Sequence, residues 1–202
     1  MTPQMMDQAV NVQHLNVKIF AREPAAVDLG DAIPVFHRWI QEGAGEELLI
    51  DVADYRHVPA GPGVLLVGHE ANYSLDVSFR KLGLLYNRKA AHEGSTQDKL
   101  LEAFYSALEA CRRLEQEPEF RGKLLFNAGD CEVIVNDRLL VPNTDSTWQA
   151  LQPAFASFCD GLYGRGGYTL DRLGEPRERF RLGIRTARPI EARVLLEALD
   201  GV

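Results

Sequence analysis

The apolar positions change period several times along the chain, and the changes mark its elements. LNVKIFA (15–21) alternates Leu15, Val17, Ile19 and Ala21 on one side, which predicts a strand. After the loop REPAAVDLGD, Ile33, Phe36 and Ile40 recur at helical spacing. They predict a helix over 32–42, with Asp31 placed to cap it, Pro34 in its first turn, and Gly43 and Gly45 to stop it. ELLIDVADYRH (47–57) reads as a strand again. Strand, helix, strand in that order predicts a parallel pair joined by a right-handed crossover.

VPAGPG then signals a loop, VLLVGHEANYSLD (64–76) reads as one long strand, VSFRK turns, and LGLLYNRK (82–89) returns. A hairpin about VPAGPG sets Val52 opposite His69 and Asp51 opposite Glu70. A hairpin about VSFRK sets His69 opposite Arg88 and Glu70 opposite Asn87. That register gathers Leu48, Ile50, Val52, Leu65, Val67, Ala71, Tyr73, Leu75, Leu82, Leu84 and Tyr86 on one inner face. A slip of one residue would invert the faces.

Ser95 or Thr96 caps the next helix, with Asp98 in its first turn and Leu100, Leu101, Phe104, Leu108 and Cys111 as its apolar stripe. Pro118 ends it. KLLFNA (123–128), CEVIV (131–135) and RLLVP (138–142), separated by Gly-Asp and Asn-Asp, read as a three-stranded meander. Asp145 or Ser146 caps a helix to about Tyr163, where Trp148, Leu151, Phe155, Phe158 and Leu162 repeat at helical spacing around Pro153. YTLDRL and RFRLGIRT form a hairpin around GEPRE, and PIEARVLLEAL closes the chain as a short helix.

These elements predict an α+β two-layer sandwich, a mixed or antiparallel sheet with helices packed on it. STQDKLLEAFYS (95–106) and STWQALQPAFAS (146–157) match at six of twelve positions, which leaves room for a duplicated hairpin-helix unit. LLYN (84–87) and LLFN (124–127) match at a different offset and weaken that alignment. The expected organisation is a poorly ordered polar segment over 1–13, then a single α+β domain over 14–202, with halves 14–118 and 119–202.

Composition narrows the function classes. The chain has 202 residues, 46% hydrophobic and 25% charged, as soluble globular proteins do. A formal charge of −7 makes it a poor ligand for nucleic acid, because that binding rests on Lys and Arg at phosphates. The stretch 172–188 holds six Arg against two Glu and reads as the charged edges of a hairpin. No apolar run approaches the roughly 20 residues of a membrane span, and MTPQMMDQAV lacks the features of a secretory signal. Cys111, Cys131 and Cys159 form no CxxC pair and read as reduced thiols in a cytoplasmic protein.

Recognised chemical signatures are missing. There is no GxxxxGK[ST], no strand-to-helix GxGxxG and no GxSxG, and HE at 69–70 lacks the second His of a zincin. No cofactor and no metal is implied. VGHEANYSLD (67–76) is the densest polar stretch. His69, Glu70 and Asp51 are its candidate catalytic groups, with Asn72, Asp76, Asn87 and Arg88 as candidate ligand-binding residues. An opposed Asp51–Glu70 pair would repel, and a site that binds a cation or raises a carboxyl pKa would justify keeping it. The expected function is a non-catalytic protein that binds another protein or itself, with no nucleic-acid or membrane partner. The alternative is a small-molecule-binding protein or enzyme built around His69 and Glu70. A concave pocket beside those residues would favour the alternative, and an exposed apolar patch the former.

Overall fold

A computed structural model describes residues 12–22, 27–43, 47–59, 61–78 and 81–199. Residues 1–11 of the expected N-terminal segment lie outside that set, as do Gly45, Ala60 of VPAGPG and residues 79–80 of VSFRK. The strands are β1 Leu15–Ala21, β2 Leu49–Asp54, β3 Val64–Gly68, β4 Ala71–Asp76, β5 Gly83–Arg88, β6 Phe126–Val135, β7 Tyr168–Leu173 and β8 Phe180–Thr186. The helices are α1 Ala32–Glu42, α2 Thr96–Gln116, α3 Asp145–Tyr163 and α4 Ala192–Leu199. One sheet holds all eight strands in the order β2-β3-β4-β5-β1-β6-β8-β7, and every pair is antiparallel. The class is α+β. The two halves of the chain meet in the β1–β6 pair.

α2 and α3 start at side-chain caps, whereas Asp31 precedes α1 without a side-chain cap hydrogen bond. Ser95 and Asp98 form a full capping box at the start of α2, whose Leu100, Phe104, Leu108 and Cys111 are buried. Thr144 caps α3, one residue before the expected position, by accepting the Thr147 N–H. Trp39 of α1 donates to Glu117 just past α2 (2.6 Å), and Arg38 pairs with Glu117 (2.7 Å) and Glu119 (2.8 Å). Val17, Ile19, Leu66, Leu84, Tyr86, Val133 and Leu182 supply the sheet side of the core, and Phe36, Phe104 and Phe155 the helix side.

The sheet departs from the expected register in three places. First, β1 and β2 are not neighbours. They run in the same direction, but β3, β4 and β5 lie between them, so the crossover spans most of one half-sheet. Second, 64–76 is not one strand. It breaks after Gly68, and His69 and Glu70 form the tip of a tight hairpin in which Val67 faces Asn72 and Leu66 faces Tyr73. Val52 therefore faces Leu66 rather than His69, and Asp51 faces Val67 rather than Glu70. Ala71, not His69, faces Arg88, and Asn72 faces Asn87. The fold-back reverses the parity of β3. Val64 and Leu66 enter the core, Leu65 and Val67 turn to the other face, and Leu48 and Ile50 are exposed. Third, β6 is continuous through Gly129-Asp130. Asn127 Oδ1 accepts the Gly129 and Ile190 N–H groups, and the register against β1 shifts there instead of turning. RLLVP forms a turn and one bridge, Pro142 to Arg179, not a third meander strand.

Candidate functional site

The opened hairpin of VGHEANYSLD creates a cleft. Its volume is about 1030 Å³, and it lies between the β2–β5 end of the sheet and one flank of α2. His69 and Glu70 sit on its rim, while Tyr73 and Arg88 enter from the sheet. Leu101, Glu102, Tyr105, Ser106, Glu109 and Arg113 enter from α2.

The turn on the rim is held from a distance in sequence. Glu47, ahead of β2, accepts the Glu70 and Ala71 N–H groups on Oε1, each at 2.6 Å, and the Tyr73 hydroxyl on Oε2 at 3.3 Å. Gly68 makes room for this carboxylate. A Cβ there would meet Glu47 Oε1 and lie 2.6 Å from the Ala71 carbonyl oxygen. The Leu48 carbonyl accepts the His69 N–H (2.8 Å), which fixes the entry to β2 against the same turn.

A second carboxylate organises the floor. Glu102 Oε1 accepts the Tyr86 hydroxyl (2.6 Å), an Arg88 N–H (3.2 Å) and the Ser106 hydroxyl (3.4 Å). Arg88 also pairs with Glu70 at 2.8 Å, so Glu70, Arg88, Glu102 and Tyr86 form one connected chain across the cleft. Tyr73 and Tyr86 pack edge to face at 5.4 Å. Burial holds the Tyr86 phenol well above the ordinary tyrosine range, and its bond to Glu102 adds to the effect. Burial does the same for Tyr73, with the Glu47 charge next in weight. Both therefore remain neutral hydrogen-bond donors.

Five carboxylates line the cleft, Glu47, Glu70, Asp98, Glu102 and Glu109, against two guanidiniums, Arg88 and Arg113. Glu109 turns toward Arg112 (2.7 Å), and Asp98 serves the α2 cap. The balance at the wall stays negative. Leu48 (69% exposed), Leu101 and Tyr105 add apolar surface that nothing in the described chain covers.

Of the seven residues singled out from sequence, the fold brings three to this cleft: His69, Glu70 and Arg88. The other four are elsewhere. Asp51 lies on the edge strand, exposed, and its carboxylate accepts the Val52 N–H (2.8 Å). Asn72, Asp76 and Asn87 lie on the sheet face opposite the helices. There Asp76 pairs with buried Lys18 and accepts the Ser78 N–H at 3.1 Å. Burial lowers the Lys18 pKa and the Asp76 charge opposes that shift. Asn16, Asn87 and Asn72 form a row across three adjacent strands. The opposed Asp51–Glu70 pair does not exist, because the hairpin separates the two residues.

Glu47, Glu102, Ser106 and Tyr105 were not among the expected site residues. A signal for part of the set is present in α2: 101, 102, 105, 106, 109 and 113 share a flank beside the core stripe. Among the described residues, no three or more His, Cys, Asp or Glu side chains are placed to hold a metal ion, and His69 has no side-chain hydrogen bond. Compared with known proteins, the chain matches no family model and no curated relative.

Proposed function

We propose that this is a non-catalytic cytoplasmic binding protein whose cleft receives a segment of another protein, with a cationic side chain flanked by apolar ones. The observation that carries this reading is the composition of the cleft lining: five carboxylates against two guanidiniums, beside exposed Leu48, Leu101 and Tyr105. Lys or Arg on the incoming segment would complete the acidic groups, and its apolar neighbours would cover the exposed rim. The edge of the sheet is a poorer contact for a partner strand. Tyr55 N–H points inward to Gly63. Strand alternation therefore turns the Val52 N–H outward, and the Asp51 carboxylate already occupies it. Three buried free thiols suit a reducing compartment.

The test is a binding screen with immobilised decapeptides that vary in Lys/Arg and apolar content. Peptides with both should be retained at low salt and released as salt rises. Leu101→Ser/Tyr105→Ser should weaken retention about tenfold or more, since both side chains are exposed and their replacement spares the fold. Equal retention of acidic and basic peptides would refute the reading.

A small-molecule site or enzyme is the second reading, favoured by the cleft's volume and by His69 and Glu70 on its rim. A general base needs an orienting partner and a substrate proton within reach. Saturable binding of a small cationic compound, lost in His69→Gln and in Glu70→Gln, would favour it over the peptide reading.

A further inference from the structure

Four arginines converge in the other half of the sheet. Arg138, Arg177, Arg179 and Arg181, with Asn136 and Glu178, line a pocket of about 500 Å³ beyond the ends of β6 and β8. Arg181 has Glu132 at 3.8 Å. Arg138, Arg177 and Arg179 have no ion pair among the described residues. Two carboxylates lie close in sequence but are turned onto backbone. Asp137 Oδ1 accepts the Leu139 (3.1 Å) and Leu140 (3.0 Å) N–H groups, and Glu178 Oε2 accepts the Glu175 N–H (2.9 Å). Guanidiniums crowded without counter-charge repel one another, which an arriving anion relieves.

The pocket is preformed. Arg138 donates to the Arg177 carbonyl (3.0 Å), Arg179 donates to Asn136 Oδ1 (3.3 Å), and Pro142 bridges to Arg179. Asn143 Nδ2 donates to the Leu173 (3.0 Å) and Glu175 (3.2 Å) carbonyls, so the 136–143 turn and the β7–β8 turn are tied together.

A second observation stands beside the arginines. The two residues after Arg138 are Leu139, 89% exposed, and Leu140, 61% exposed, on a turn that ends at buried Val141. A soluble anion would account for the arginines but not for two leucines held in water. A surface of anionic phospholipid accounts for both: guanidiniums at the phosphates, leucines below them in the apolar layer. We propose that this pair of turns is a peripheral docking surface for anionic phospholipid headgroups. It is independent of the cleft. With a formal charge of −7 over the whole chain, repulsion elsewhere orients the molecule with this surface toward the lipid.

The experiment is co-sedimentation of the whole protein with phosphatidylcholine vesicles, with and without phosphatidylserine. Inorganic phosphate and an oligoglutamate peptide serve as separate soluble probes. Binding is expected only to the vesicles containing phosphatidylserine, falling as salt rises. Arg138→Gln/Arg179→Gln should weaken it about fivefold for each charge removed. Leu139→Ser/Leu140→Ser should release the protein from vesicles although every arginine of the pocket is kept. All four side chains are exposed, so unaltered urea midpoints are expected and exclude unfolding as the cause. No vesicle binding at low salt would overturn the proposal. So would binding that ignores both variants. Phosphate or oligoglutamate bound without vesicles would also overturn it and reassign the pocket to a soluble anion or an acidic protein segment.

Discussion

The cleft and the arginine turns differ in charge, and differ more in what their charged groups already hold. In the cleft, Glu47 carries the β3–β4 turn and Glu102 collects three donors, including the buried Tyr86 hydroxyl. In the arginine turns, the carboxylates cap backbone and three guanidiniums are left without ion pairs among the described residues. Acidic residues in the cleft are therefore structural as well as available to a ligand. The arginines contribute little to the fold. Substitutions in the two regions should separate on stability before any ligand is added.

The largest effect is expected at Gly68. Gly68→Ala forces a methyl group against Glu47 and the Ala71 carbonyl, which neither side can yield without opening the turn. We expect a loss of about 2–3 kcal/mol, read as a lower urea midpoint with an unchanged slope. Glu102→Ala should follow, at about 1–3 kcal/mol, because it leaves the Tyr86 hydroxyl and Arg88 without their shared acceptor. A smaller loss than that of an exposed control would show that Glu102 does not hold the floor.

A pH dependence comes next. Tyr73 and Tyr86 keep their protons in the folded state, since burial raises both pKa values. The unfolded chain releases them near the ordinary tyrosine value of about 10. Their contribution is therefore whole below that value and is lost as pH rises above it. Urea midpoints should fall with pH above about 10, and Tyr86→Phe should make the fall shallower. An equally steep fall in the variant would assign the alkaline loss to other groups. The smallest effect belongs to the other region. Arg179→Gln should change stability by no more than about 0.5 kcal/mol.

The same contrast explains what could be read from sequence. α2 was legible because its signals are local: Ser95 and Asp98 cap it and its stripe has one period. The β7–β8 hairpin was legible from GEPRE. The break at His69-Glu70 was not, because no Asn-Gly or Pro-Gly marks it, and the group that stabilises it, Glu47, lies 23 residues from Glu70. The reverse error occurred at Gly129-Asp130, where a turn-like pair is absorbed by a bulge that Asn127 and Ile190 complete. The candidate site was legible in part for the same reason. Polar density pointed to His69 and Glu70, and the expected pairing with 82–89 added Arg88. Strand parity scattered Asp51, Asn72, Asp76 and Asn87 to an edge and to the opposite face.

The central claim is that the acidic, partly apolar cleft is the binding surface. It is tested most directly by amide chemical-shift mapping as the protein is titrated with a basic, apolar decapeptide at low salt. The account predicts saturable shifts concentrated at Glu47, His69, Glu70, Tyr73 and the 101–109 flank of α2. Shifts confined to other surfaces, or none at peptide concentrations that saturate in the screen, would contradict it.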